Sequence, residues 1–386
     1  MREILFDCSI VRLFDCSIVQ LFNYKTVKLS NCPTEMTYLF DLGHPAHFHL
    51  FKQSIRILQE KGHKAVITIK DQPVLIALLQ DAGMEFINLG HKGKSLPAKA
   101  LRQLMFDWKV WKIARKHRVD IGLGVSMSVP HAALFCKMKS VLFDDDDRAA
   151  TPLFYQFAHS VAGRVLSPDC LSFQQGGKKY TYYNGYHELA YLHPARFTPD
   201  PAILQKAGVN PGEPYFILRF NAFGAYHDTG QGGFSDEQKQ DLIEKLKPYG
   251  RVFITGEKDV APQFRSYLIN LHPADMHSFM AFATLFLGDS QTMASEAAML
   301  GVPSIRLNSF VGKISYLEEQ EKKYGLTFGF LPQDFDKMLA KLDELLAMND
   351  LKAEWQLRRR KMLEEKIDVT AYLVEGLGAW GLGRRA

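Results

Sequence analysis

The stretch LGDSQTMASEAAMLGVPSI occupies residues 287–305 and decides the fold of this chain. The start of this stretch and the three residues before it read TLFLGDS. This pattern is typical of a buried strand that ends in a Gly-Asp-Ser turn. A helix of small residues is predicted to begin near Ser290, and PSIRL after Gly301 predicts the next strand. A strand, a turn, a helix and a strand in this order are the unit of parallel α/β sheets.

The same alternation extends in both directions from this stretch. MTYLFDLG, KAVITIK and VDIGLGV are predicted strands of a first block, and EPYFILRF and RVFITGE are predicted strands of a second. Between the blocks, near 165–200, the rhythm breaks into aromatic, proline-containing loops. The sequence therefore predicts an α/β fold with two Rossmann-like domains, whose parallel sheets face a cleft that holds the ligand.

The predicted domain boundaries follow from these changes of pattern. They are an extension at 1–35, a first domain at 36–185, a linker at 186–212, a second domain at 213–345, and C-terminal helices and a tail at 346–386. LFDCSIVR, LFDCSIVQ and LFNYKTVK repeat in the extension with a period of eight residues. Charged residues interrupt any signal-peptide core there, and Met36 opens a normal first strand. We therefore expect the extension to lie outside the native fold and to have no role.

Composition limits the classes of function. The net charge of +5 is mild, so no nucleic-acid partner is required, and no apolar run approaches the ~20 residues of a membrane-spanning helix. The 5 cysteines have neither metal-like nor disulfide-like spacing, which suits a reducing cytoplasm. We therefore expect a cytoplasmic protein without a metal or other cofactor.

The hydroxyl groups in the opening stretch have two interpretations. Ser, Asp and Thr at a helix start are good N-caps, which needs no ligand. Helix N-termini at strand ends also bind anions, through their N–H groups and the helix dipole. Glu296 lies four residues after Thr292 on the same helix face, where a carboxylate could accept hydrogen bonds from the two hydroxyls of a ribose. Capping and nucleotide binding both remain open on the pattern alone.

The stretch resembles the nucleotide-binding segment of two-Rossmann (GT-B) glycosyltransferases and of the related UDP-N-acetylglucosamine 2-epimerases. Over about 36–335 the chain is also similar to the domain of unknown function 354 family of predicted glycosyltransferases. The similarity rests on DLGHPAHFH, YNGYHELAYLHP, RFNAFGAYHDTG and GDSQTMASEAAMLGVPS. This resemblance implies a GT-B fold with C-terminal helices that pack back on the first domain. It also implies that Ser290 and Thr292 bind diphosphate, beside Asp289 and Gln291, and that Glu296 binds the ribose.

A histidine-rich turn, DLGHPAHFHLF, follows the first predicted strand. Gly43 and Pro45 favour a turn, and His44, His47 and His49 lie within six residues. Three ligands so close together are rare in metal sites, so no metal is predicted. A histidine near a helix start is a common structural feature, but inverting GT-B enzymes carry a catalytic histidine at this point. By that resemblance His47 is the predicted general base, and Gly43 and His44 are predicted to contact the nucleotide sugar.

An acidic run, LFDDDDR, ends another predicted strand. Four adjacent carboxylates at 144–147 are costly unless they are solvated, paired or bound to a ligand. One of them could simply cap a helix that begins near Ala149. Alternatively, Asp145 or Asp146 could act as a base, orient His47 or hold an acceptor hydroxyl. In a 2-epimerase, such carboxylates would remove and return a proton of the sugar.

Further polar residues follow predicted strand ends, each with a capping or salt-bridge alternative. Those predicted to bind the nucleotide sugar are Arg219, Gly256, Glu257 and His277, although a helix cap is the simpler role of His277. Those predicted on the acceptor side are Ser126, Ser128, His131, His227 and Asp228. LRQLMFDWKVWKIARKHR, with Trp108 and Trp111, is a basic aromatic helix that either covers the sheet or lies on a membrane surface.

The sequence thus predicts a glycosyltransferase that moves a sugar from a nucleotide-diphosphate sugar to a glycan or lipid-linked acceptor, in surface polysaccharide biosynthesis. It would be cytoplasmic, with peripheral contact to the inner face of the membrane as an option. The alternatives are an NDP-sugar 2-epimerase and a nucleotide-sugar-binding protein without catalysis.

Overall fold

Seven parallel strands form the first sheet of the computed structural model, which describes residues 35–91, 93, 95–174, 176–220, 234–256 and 261–382. Their order is β3-β2-β1-β4-β5-β6-β7. Every neighbouring pair is parallel. In this order, the direction in which the chain adds strands reverses between β1 and β4. The strands are β1 (Thr37–Leu42), β2 (Lys64–Ile69), β3 (Ile87–Asn88), β4 (Ile121–Gly124), β5 (Lys139–Phe143), β6 (Arg164–Pro168) and β7 (Tyr180–Tyr183).

Helices cover this sheet because its strands are apolar on both faces. In β1, five of six residues are buried. Phe106, Val110 and Ala114 of the long third helix pack into one core cluster with Leu39 of β1 and Val129. The helices are α1 (Pro45–Glu60), α2 (Pro73–Asp81), α3 (Leu96–Lys116), α4 (Ser128–Ala133) and a short α5 (Pro152–Phe154), followed by a π-helical turn at Tyr155–His159.

Five parallel strands form the second sheet, in the order β12-β11-β10-β8-β9. Its order reverses between β8 and β10. The strands are β8 (Tyr215–Arg219), β9 (Arg251–Thr255), β10 (Leu285–Gly288), β11 (Ser304–Leu307) and β12 (Thr327–Phe330). Nine further α-helices follow β7 among the described residues, some of them between strands of the second sheet. They are α6 (Leu189–Leu192), α7 (Ala202–Lys206), α8 (Asp236–Leu246), α9 (Met276–Phe282), α10 (Gln291–Leu300), α11 (Ser315–Lys322), α12 (Phe335–Leu346), α13 (Leu351–Glu365) and α14 (Val369–Leu382).

The last helix returns to the first sheet. Helix α14 packs against α1 and α6. The chain before it is tied to the end of β7, where Ile367 N donates to Asn184 O and Asn184 Nδ2 donates to Glu365 O. Thr370 Oγ1 also donates to Ala190 O in α6. These bonds hold α14 on the first half of the molecule.

The predicted fold is confirmed, with two parallel sheets, helices around both, and C-terminal helices that pack back on the first half. The loop region expected near 165–200 is wrong in part, because β6 and β7 both pair in the first sheet there. The edge strand β7 (YTYY) has mostly half-exposed side chains, so its sequence lacks the apolar pattern of a buried strand. The domain boundaries stay a prediction, and the extension at 1–35 lies almost wholly outside the described residues.

Candidate functional site

The opening stretch lies at the point where the strand order of the second sheet reverses. Gly288 at the end of β10 pairs with Arg219 at the end of β8, and Asp289 N donates to Arg219 O at 3.1 Å. A Cβ at Gly288 would lie 2.4 Å from that same oxygen, so only glycine permits this close approach. Ligands of open α/β sheets bind outside such a reversal point.

Helix α10 begins at this point with a side-chain cap. Ser290 Oγ accepts from Met293 N at 3.4 Å, so the capping interpretation holds for Ser290. Gln291 and Thr292 are half-buried in the first turn. Asn308 Nδ2 donates to Asp289 O at 3.1 Å and fixes the turn to the end of β11. The structure therefore places the N-terminus of a ten-residue helix at the cleft edge of the sheet.

Glu296 lies one turn further along α10 and is not a solvated glutamate. Its side chain is only 7% exposed, and Oε1 accepts from Tyr191 OH at 2.8 Å and from His277 Nε2 at 2.9 Å. Burial and the charge of Glu296 raise the pKa of Tyr191 well above its ordinary value, so this hydroxyl stays protonated and donates. The helix-cap role expected for His277 is wrong, since its ring reaches across to α10 instead.

His49 joins this group from the first half of the molecule. Its ring meets that of His277 edge to face, with 4.6 Å between centroids, and also contacts Tyr191. Burial and the neighbouring His277 hold the pKa of His49 well below its ordinary value, so the ring is neutral. Its buried Nδ1 has no hydrogen-bond partner in the part of the chain that the structure describes.

His47 and His44 lie at the reversal point of the first sheet. His44 is the N-cap of α1 and accepts from Ala46 N at 3.2 Å. His47 Nδ1 accepts from Gly43 N at 3.1 Å. A neutral ring in this arrangement carries its proton on Nε2, so it acts as a donor there and not as a base. The predicted role of His47 as general base stays a prediction that this hydrogen bond does not favour.

The predicted acceptor-side residues on α4 and just before it have partners within the first half. Ser126 Oγ donates to the buried carboxylate of Asp41, and Ser128 Oγ accepts from Gln103 Nε2 at 2.9 Å. His131 Nδ1 lies 2.7 Å from Asp107 Oδ2, a bond that raises the pKa of the ring. These contacts are enough to explain the three residues as structural. Acceptor binding by them stays a prediction.

Three of the four carboxylates of the acidic run have different partners. Asp144 is buried against His159 at 2.8 Å, and burial raises its pKa well above the ordinary value. Asp145 Oδ2 lies 3.1 Å from His187 Nδ1. Burial and the charge of Asp145 raise the pKa of Asp146 to about 7. The run therefore holds a carboxyl group that titrates near neutral pH, where a general acid or base works best.

Asp147 does not cap a helix near Ala149, as one reading of the sequence expected. Its Oδ2 accepts from Ser315 N at 2.7 Å and its Oδ1 from Ser315 Oγ at 2.6 Å. Ser315 opens α11 of the second half, so the carboxylate satisfies a helix N-terminus that is distant in sequence. Long-range capping of this kind leaves no local pattern.

Two central residues, His187 and Glu188, were missed by the sequence reasoning. Burial would lower the pKa of His187, but the charge and hydrogen bond of Asp145 outweigh it and raise the pKa. Burial and the charge of Asp145 raise the pKa of Glu188 to about 8, and Glu296 contributes in the same direction. The adjacent His-Glu pair inside YNGYHELAYLHP was the available signal. Glu188 links the acidic run to Glu296, so both halves contribute to one cluster.

Several predicted residues are separate from this cluster or lie beyond what is described. Arg219 is half-buried at the end of β8, and its Nε has no hydrogen-bond partner among the described residues. Gly256 is exposed just after β9. Glu257, His227 and Asp228 lie outside the described residues. Among the described residues no group of three or more His, Cys, Asp or Glu side chains could hold a metal ion.

A cavity of about 1040 Å³ opens beside the acidic run. Asp147 and Arg148 line it from the first half, and Lys313 and Ser315 from the second, with Phe173 at its edge. Glu296 is not among the residues that line it. No helix of the described residues is long and apolar enough to cross a membrane.

One family model and one relative match most of the chain. The model of one family, "Protein of unknown function (DUF354)", matches residues 36–324. An uncharacterised protein of Methanocaldococcus jannaschii is 20% identical over 300 residues, which is 73% of this chain and 85% of that protein.

Solved structures share the fold over nearly their full lengths. The UDP-GlcNAc 2-epimerase of Neisseria meningitidis bound to UDP-GlcNAc has a TM-score of 0.61 and 14% identity, over 88% of this chain and 99% of that chain. The spinosyn forosaminyltransferase SpnP has a TM-score of 0.58 and 16% identity, over 90% of this chain and 100% of that chain. Both neighbours are enzymes of sugar chemistry, and at these identities the likeness concerns the GT-B-like fold.

Proposed function

The chain belongs to the protein family DUF354, whose function is unknown, and for this member we propose a glycosyltransferase. It would transfer a sugar from a nucleotide-diphosphate sugar to a glycan or lipid-linked acceptor, in the synthesis of surface polysaccharide. The observation that favours sugar transfer over the alternatives is the cavity of about 1040 Å³ beside the acidic run. A transferase needs space for a second substrate, which an epimerase does not.

The second half would bind the donor. The N-terminus of α10 offers backbone N–H groups and a dipole to the diphosphate. Arg219, whose Nε has no partner among the described residues, adds a cation at the neighbouring strand end. Glu296 would accept from ribose hydroxyls while Tyr191 and His277 hold its other oxygen. The charged diphosphate and the neutral ribose hydroxyls would then each have a partner.

The acidic run would supply the base. An Asp146 carboxylate takes the proton of the acceptor hydroxyl, and that oxygen then forms a bond to the anomeric carbon. The bond from this carbon to the diphosphate oxygen breaks, and the diphosphate leaves with its electron pair at the α10 terminus. His47, whose ring is a donor at Nε2, would hydrogen-bond an oxygen of one substrate. Turnover should rise with pH through about 7 as Asp146 loses its proton.

An NDP-sugar 2-epimerase is the second candidate. Its support is the carboxyl pair with raised pKa values, Asp146 at about 7 and Glu188 at about 8. Two such groups could remove a proton from one face of a sugar carbon and return one to the other face. A nucleotide-sugar-binding protein without catalysis is a third possibility with no specific observation in its favour.

One experiment separates these functions. The protein is incubated with UDP- and GDP-sugars, with and without glycan or polyprenyl-phosphate acceptors, and products are resolved by mass spectrometry and NMR. Transfer requires the acceptor and releases nucleoside diphosphate, whereas epimerisation yields a new sugar without any acceptor. Asp146→Asn should lose transfer while it binds the nucleotide normally, and the exposed Asp241→Asn on α8 serves as a control outside the cluster. A new sugar nucleotide without acceptor would overturn the transferase proposal.

A further inference from the structure

Helix α3 has two apolar faces, and only one of them packs on the sheet. Phe106, Val110 and Ala114 belong to the buried core cluster. A second stripe points away from the core and is exposed to solvent. At 100° per residue, its members at positions i, i+3, i+4 and i+7 share one helix face opposite the buried one. They are Leu101, Leu104, Met105 and Trp108.

The exposed apolar surface continues beyond α3. Trp111 Nε1 donates to Phe135 O at 3.1 Å, which brings the end of α4 beside α3. His131, paired with Asp107 on α3, contacts Phe157 O at 2.9 Å. Further exposed apolar side chains lie on these two segments, among them Leu134, Phe135 (74% exposed), Leu153 and Phe157. Clusters of exposed apolar side chains mark interaction sites when they form a contiguous patch.

Basic residues border this surface. Positions 96–118 contain seven Lys or Arg and one acidic residue, Asp107. The Asp107 carboxylate pairs with His131, on the side of α3 away from the exposed stripe. Lys112 lies over the Trp108 ring at 4.4 Å, and Arg115 over Trp111 at 5.2 Å. The outward stripe thus changes from apolar to basic along the helix, which is the pattern of a surface that binds anionic membranes.

The position of this surface relates it to the cleft. Helix α3 follows β3 and precedes the parallel β4, so its apolar N-terminal half lies near the carboxyl edge of the sheet. Leu153 is adjacent to Pro152, which lines the large cavity together with the exposed Phe173. Exposed apolar side chains therefore lie both on α3 and at the cavity.

We infer that this face, called here the α3 surface (Leu101, Leu104, Met105, Trp108, Leu134, Phe135, Leu153, Phe157 with Lys112 and Arg115), docks on an anionic lipid bilayer. Apolar side chains would enter the headgroup region while Lys112 and Arg115 meet lipid phosphates. Docking goes beyond the proposed function. One consequence rests on that function: the acceptor is lipid-linked, with its lipid in the bilayer and its head group in the cavity.

Vesicle flotation tests the docking without any nucleotide. The full chain is mixed with vesicles of 70% phosphatidylcholine and 30% phosphatidylglycerol, or of phosphatidylcholine alone, and the bound fraction is measured at low and high salt. Lys112→Glu with Arg115→Glu should weaken binding to anionic vesicles by about tenfold or more. Leu104→Glu with Phe135→Glu should abolish it. The matched control is Leu357→Glu with Arg360→Glu on α13, where Leu357 is exposed to a similar degree.

The outcomes are distinct from those of the nucleotide experiments. Binding that requires phosphatidylglycerol, is weakened at least tenfold or lost in the α3 variants and survives in the control supports the inference. No binding by the wild type, or equal binding by all variants, overturns it. A dimer that the same substitutions dissociate in light scattering, without vesicle binding, would show that a second copy covers this face and would also overturn it. UDP binding by the α3 variants reports on the donor site separately.

Discussion

Glu188 provides the sharpest test of the cluster, because it is a buried glutamic acid whose charge would be costly. Its Oε2 has no hydrogen-bond partner among the described residues, and burial with the charge of Asp145 raises its pKa to about 8. The ordinary value is 4.5. Between these values the folded protein keeps a proton that the unfolded chain has lost. Stability from this group is therefore fully present below pH 4.5 and is lost as pH rises through about 8.

The size of the effect follows from linkage. One proton difference corresponds to about 1.4 kcal/mol per pH unit. Glu188→Gln removes the titrating group and keeps its shape, so its unfolding free energy relative to the wild type should rise by up to about 1.4 kcal/mol for each pH unit. Urea unfolding at pH 5.5, 6.5 and 7.5 measures this slope, with the exposed Glu364→Gln as the control. A difference between variant and wild type that does not change with pH would show that Glu188 does not keep its proton in the folded protein.

Two further substitutions test how the site is held. Asp147→Ala removes the carboxylate that accepts from Ser315 N and Oγ, and should cost about 1–3 kcal/mol of unfolding free energy in urea; a loss below about 0.5 kcal/mol would contradict the capping role. Gly301→Ala places a Cβ at a φ of 71°, 2.5 Å from Gln356 Nε2, and should cost about 1–2 kcal/mol. An unchanged melting temperature would show that this left-handed helix end is not strained by a side chain.

The sequence predicted the fold and the start of the candidate site for physical reasons. Strand–helix alternation is local, so both sheets and the turn at 288–292 could be recognised from consecutive residues. The cap at Ser290 and the helix end at Gly301 are also local features. Glu296 was identified because it shares a helix face with Thr292.

The partners of these residues could not be predicted, since they come from distant parts of the chain. Tyr191 and His277 meet Glu296 across 105 and 19 positions, and Asp147 reaches Ser315 across 168. The raised pKa of Glu188 depends on burial, which a sequence does not report. Without an expected partner, Glu188 resembled any polar residue in an aromatic loop. Packing between the two halves therefore decides the chemistry that the motifs only suggest.

Nucleotide binding is the most direct test of the donor site that we propose at Glu296. Isothermal titration of UDP and of GDP into the wild type and Glu296→Gln measures it, since glutamine keeps one oxygen for Tyr191 and His277 and replaces the other, charged oxygen by an NH2 donor. The wild type should bind at least one nucleotide. The variant should bind it about fivefold to thirtyfold more weakly, because hydrogen bonds to charged groups exceed neutral ones by about 1–2 kcal/mol, with little change in melting temperature. Equal affinity in both proteins, or no binding of either nucleotide by the wild type, would contradict the account.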